Sequence, residues 1–292
     1  MDAPPDELPA LSLPPPLPPA KPPGPRLGKA LLVSFLFYVV VFAVTIPIAI
    51  YCAVSKQKPD SILIMFTSQA VGWPVALWLG LVFIKRPWSG SYTIRGFPSR
   101  ILPGLIIGCF GLTIVLLHFA SLIPMPDAFK QAFLGLTQGN AAIFFVSITL
   151  IAPVAEELFF RGWMLRGFFA NYSAAKSIWL TAVIFALFHL NPWQAVVALP
   201  LGLLFGWLVL RTGSLAPGII GHFTVNFSTN YLIIPFAMLL GHGAEEMQQE
   251  DHMPGDLLAA GAVLSVVGLG WMWRELKKVP AVGLEAGTSL GV

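Results

Sequence analysis

Eight apolar runs, parted by short polar breaks, fill most of the chain: residues 31–54, 62–84, 101–124, 141–160, 178–190, 192–210, 215–240 and 257–273. They are continuous rather than alternating, which favours helices over barrel strands. About 20 apolar residues in a helix cross a hydrocarbon core of roughly 30 Å, and every run except the fifth approaches or exceeds that length. The fifth, 178–190, is shorter, so its helix is expected either to pack among its neighbours or to continue past its apolar part. The pattern predicts an all-α membrane protein with about eight transmembrane helices in one bundle.

The ends read differently. Eleven prolines fall in the first 26 residues. Proline removes a backbone donor and resists helix, so residues 1–28 are expected to form an extended, disordered tail of partly polyproline-II character. Such a tail offers a ligand to a partner with an aromatic groove. It lacks the basic stretch leading into an apolar stretch that marks a secretory signal. The helical membrane domain is expected over 29–278, with a short flexible tail over 279–292.

Composition sharpens the class. Hydrophobic residues make up 56% of the chain and charged residues 11%, with a mean hydropathy of +0.78. A soluble domain carries about 25% charged residues, so an ordinary soluble enzyme is excluded. Disorder over most of the length is excluded too. The net charge of +3 is too mild to point to nucleic acid, and none is expected as a partner. Membrane orientation is its simpler source. Of the 17 Lys and Arg, 14 lie in alternate segments: the N-tail, the second, fourth and sixth loops, and the C-tail. By the positive-inside rule, both termini are then cytoplasmic, in a multi-pass protein of the plasma (inner) membrane. Cys52 and Cys109 both sit in apolar runs and read as small buried hydrophobes.

Ionisable residues inside apolar spans are costly and mark function. Glu156 and Glu157 follow a charge-free stretch, 141–155, and Arg161 comes four residues after Glu157. His189 closes the fifth run; His222 lies in the seventh with Asn226 four residues on. Positions i and i+4 share a helical face, so Glu157 and Arg161 can pair, leaving Glu156 to face elsewhere. Phe185 shares a face with His189, and His222 with Asn226. Three helices could thus bring polar groups to one point. If the helix bearing Glu156 ended at Arg161, Glu156 would be only about 8 Å deep; if it continues to Arg166, about 15 Å.

A carboxylate in a low-dielectric site suits general-base work on water. Histidine can hold that water, and a second histidine with an amide can donate to a developing oxyanion. The same Glu156, His189 and His222 could instead form a zinc site with an open position for water. Residue types leave both open. Other designs are absent: there is no His-Glu-x-x-His, no Asp within an apolar run and no Gly-x-Ser-x-Gly.

Glu156-Glu157-Leu158-Phe159-Phe160-Arg161 reads Glu-Glu-x-x-x-Arg, Phe185 to His189 reads Phe-x-x-x-His, and His222 to Asn226 reads His-x-x-x-Asn. These three motifs, in this order and each in an apolar run, resemble the CAAX protease and bacteriocin-processing family of intramembrane proteases. The resemblance covers about residues 145–230. It implies an eight-helix bundle and peptide-bond hydrolysis in a membrane-anchored protein or peptide tail. It implies Glu156 as the water-activating base, His189 as its partner on the water, and His222 with Asn226 as oxyanion donors. It implies Glu157 and Arg161 as a supporting ion pair, with Phe185 beside them. No cofactor is required on this reading, zinc being the alternative. Two rival readings use the same residues, an ion- or proton-coupled transporter and a non-catalytic immunity or scaffold protein.

Overall fold

The fold is taken from a computed structural model that describes residues 24–55, 61–84, 94, 96–137, 139–243, 247 and 253–280. The proline-rich segment 1–23, most of the acidic loop 244–252 and the tail 281–292 lie outside the described residues.

The described residues are all-helical. In chain order the helices are α1 (Leu27–Ser55), α2 (Ser61–Ile84), α3 (Leu102–Ser121), α4 (Asp127–Thr137), α5 (Ala141–Phe169), α6 (Ala174–Leu187), α7 (Pro192–Thr212), α8 (216–239) and α9 (Gly255–Lys277). Each of the eight apolar runs carries one of them. Six, namely α1, α2, α3, α5, α7 and α9, are long and apolar enough to cross a membrane. The count of eight spans is therefore not reached by length and composition. α6 has 14 residues, and α8 carries the polar side chains His222, Thr224, Asn226, Ser228, Thr229 and Asn230. The chain is an integral membrane protein.

One helix was not expected. α4 sits in the third loop, where Phe129, Ala132, Phe133 and Leu136 recur at i, i+3, i+4 and i+7. That period makes a short amphipathic helix, and none of its residues is buried.

Sequence signals set the ends of the hairpin that carries His189. The Ser173 hydroxyl caps α6, and the Asn191 side chain accepts from Gln194 N at 2.8 Å to cap α7, with Pro192 in its first turn. Gly213, at φ +68°, ends α7 in the left-handed conformation that glycine adopts without strain.

Two cores flank the site. One joins Phe37 of α1, Trp73 of α2 and Phe159, Phe160 and Trp163 of α5 to Phe185 of α6. The other joins Leu105 of α3, Phe205 of α7, Val225 of α8 and Met272 of α9. Helices α3 and α9 approach most closely, along Gly104, Gly108 and Gly111 on one side and Gly261, Ser265 and Gly268 on the other. A Cβ at Gly104 would lie 2.6 Å from Met272 N. Small residues let helix backbones pack where lipid offers no hydrophobic drive. Arg211 of α7 ties down the end of α9 by donating through Nη2 to the carbonyls of Leu276 (2.7 Å) and Val279 (2.6 Å).

Candidate active site

α5 is a single long helix with two wide turns. Residues Phe145–Ile151 and Glu157–Leu165 are π-helical, with α-helical Ala152–Glu156 between them. Insertions of this kind are frequent at functional sites because they re-aim side chains. Here the second begins at Glu157, beside Glu156. The helix runs on to Phe169, and Arg161 is fully buried rather than at a surface. The deeper of the two placements of Glu156 is therefore the one that fits.

The acidic and basic groups meet in a closed cluster. Arg161 Nη1 donates to Glu157 Oε1 at 2.7 Å, and both side chains are fully buried. The same carboxylate oxygen lies 3.1 Å from His222 Nδ1. With Glu157 held as a carboxylate by the guanidinium, Nδ1 is the donor, which leaves His222 Nε2 facing outward from the pair. That nitrogen lies 3.7 Å from Glu156 Oε2, whose side chain keeps 15% of its exposure. With neutral imidazole the four groups sum to one negative charge, so one further proton shared by Glu156 and His222 would neutralise them. Gly218 makes room for the arrangement, because a Cβ there would sit 2.8 Å from Glu157 Oε2.

Aromatic rings complete the enclosure. The Arg161 guanidinium lies 4.4 Å from the centre of the Phe185 ring, within cation–π range. Phe185 also meets His189 edge-on at 5.1 Å and His222 at 5.8 Å. Phe205, from α7, stacks on His222 at 5.9 Å.

His189 lies just past the end of α6. Its Nδ1 is 2.9 Å from the Phe185 carbonyl oxygen, which can only accept, so Nδ1 donates, and in the neutral ring Nε2 then keeps the lone pair. Its polar contact is to backbone, not to Glu156. Asn226 likewise reaches backbone: its Nδ2 donates to the Ile148 carbonyl at 2.8 Å. The reason lies on α5. In a π-helical turn that carbonyl would accept from the N–H five residues on, at Pro153, which has none. The Asn226 amide supplies the missing donor and keeps a second hydrogen for other use.

The structure thus gathers Glu156, Glu157, Arg161, His222 and Phe185 directly, joins His189 through Phe185, and ties Asn226 to the helix of Glu156. Phe205, Gly218 and Tyr38 also belong to this region and were not singled out by the sequence. Only a fold brings them near the motifs, and isolated aromatic residues and glycines carry no spacing signal. Among the described residues, no three His, Cys, Asp or Glu side chains gather as a metal-binding group. The alternative zinc set of Glu156, His189 and His222 is not assembled in this arrangement.

Residues 138–228 match the family model for type II CAAX prenyl endopeptidase, Rce1-like. This segment is similar to the CAAX protease family. It is under a third of the chain and includes all three motifs. The family is one of peptidases. Among curated proteins and solved structures, nothing matches the chain.

A groove of about 380 Å³ lies between α2 and the α5 part of the matched segment. Trp73, Leu77, Val154, Ala155 and Leu158 line it, with Gln69 as its polar residue.

Proposed function

We propose that the chain is an intramembrane endopeptidase of the CAAX prenyl protease-like type, cutting a membrane-anchored protein or peptide tail with glutamate-activated water. The observation that carries this reading is the buried set Arg161–Glu157–His222–Glu156. Its last member alone has no counter-ion bonded to it. Glu156 takes a proton from water while the oxygen attacks the scissile carbonyl, and the lone pair on His189 Nε2 holds that water in line. The proton can pass to His222 Nε2, 3.7 Å away. His222 and the second hydrogen of the Asn226 amide then donate to the oxyanion. The cluster gains one positive charge as the intermediate gains one negative, so the buried total does not change. Collapse breaks the C–N bond and returns the proton to the leaving amine.

The apolar groove beside Ala155 favours a substrate approaching with a lipid or apolar segment. The reading places the protein in the plasma (inner) membrane with both termini cytoplasmic, and uses no metal.

Glu156→Gln keeps the shape of the base and removes its function. In lipid nanodiscs with a farnesylated CAAX-tail peptide, cleavage by this variant should fall at least about 10³-fold, with unchanged expression and Tm. The wild-type protein should keep its activity after chelation and contain no stoichiometric metal. Cleavage surviving in the variant refutes the mechanism. Peptide binding without any cleavage by the wild type supports a scaffold, and ion flux would support a transporter.

A further inference from the structure

The corner that carries His189 is held from outside the family segment. Between α6 and α7 the chain turns through Phe188, His189, Leu190 and Asn191. Leu190 adopts φ +55°, a left-handed conformation that a branched apolar residue seldom takes. Its side chain is 68% exposed, so packing of that side chain does not hold the turn.

Other contacts do. Asn191 Nδ2 donates to the His189 carbonyl at 2.8 Å. Trp193 Nε1 donates to the Ile123 carbonyl at 3.0 Å, and its ring meets Phe129 of α4 at 5.1 Å. From α1, the Tyr38 hydroxyl donates to the Phe188 carbonyl, one residue before His189. The Tyr38 ring lies 4.8 Å from Phe188, and Phe37, next to it, meets Phe188 at 4.8 Å and Trp73 at 4.6 Å. Tyr38 is also within electrostatic reach of Glu156.

We infer that Tyr38 is a positioning residue: its hydroxyl fixes the Phe188–His189 backbone, and so aims His189 Nε2 at the water that Glu156 activates. The imidazole has two restraints, the Nδ1 bond to the Phe185 carbonyl and the backbone it hangs from. The first sets its tautomer. The second sets its height and direction, and Tyr38 anchors it against the strain at Leu190. The inference rests on the peptidase reading for its consequence in catalysis, but the restraint on His189 is independent of it.

Tyr38→Phe removes the hydroxyl and keeps the ring. In full-length protein in nanodiscs, with the farnesylated peptide as probe, kcat should fall about 10- to 100-fold with KM and Tm near wild type. A purely structural role would lower Tm and leave kcat per folded molecule intact, which would overturn the inference. ¹⁵N-histidine labelling, with His189 assigned by its own substitution, gives a second reading without turnover. The wild type should show a single Nδ1–H tautomer for His189, and Tyr38→Phe should shift or broaden that signal. An unchanged His189 signal in Tyr38→Phe refutes the positioning role even if the peptide is not a substrate. Failure of the peptidase reading appears separately, as a wild type with no more cleavage than Glu156→Gln.

Discussion

Arg161 and Glu157 meet with no exposure to solvent or lipid, and their contacts run in two directions: to each other along α5, and across to His222 on α8. Removing one member of such a pair strands a buried charge, which costs about 3–5 kcal/mol, whereas replacing both with neutral groups is often tolerated. Arg161→Met should therefore lower Tm sharply, and Glu157→Gln with Arg161→Met should restore most of it. The restored double variant should still cleave poorly, because His222 Nδ1 then faces a neutral amide instead of a carboxylate and the imidazolium that carries the proton loses its charged partner; thermal melting and turnover measured side by side check both halves. The i, i+4 spacing of Glu157 and Arg161 is visible in the sequence, and so are the residue types of a water-activating site. The cross-helix contacts are not. His222 touches both glutamates, 65 and 66 positions away, and no periodicity announces which imidazole faces which carboxylate.

At the scale of elements, apolar length was readable and local backbone geometry was not. Eight runs became helices because in lipid the backbone must satisfy itself, and a continuous apolar run leaves few other choices. The wide turns in α5 depend on competition between hydrogen-bond registers, which composition does not record. α4 escaped notice because its signal is periodicity over one short stretch. Pro153 and Asn226 make the hidden part testable. Asn226→Leu orphans the Ile148 carbonyl and should cost about 1–3 kcal/mol of stability. In a Pro153→Ala background, the restored N–H can serve that carbonyl, so the same change at 226 should cost clearly less. A thermodynamic cycle over the four proteins reads the coupling, and strict additivity would show that the two residues do not share the carbonyl.

Across the whole molecule, the groups of the candidate site occupy α5 to α8 while the closest backbone contact lies elsewhere, between α3 and α9, both outside the matched segment. Gly108 shows how tight that seam is, since a Cβ there would lie 2.8 Å from Leu269 N. Gly108→Val should lower stability by about 1–3 kcal/mol through overpacking. Per folded molecule, cleavage should stay at the wild-type level, because the seam touches none of the residues of the candidate site. A Tm unchanged by the valine would mean that the two helices are not so closely apposed. α6 is the other outlier in length. Its 14 residues amount to about 21 Å of helix, some way short of a hydrocarbon layer of roughly 30 Å. Trp179, Val183 and Leu187 nonetheless face outward along it. Where a bilayer meets this flank, it matches the short helix by thinning or by its headgroups dipping to the helix ends. In both cases water has a thinner film of oil to cross on its way to His189.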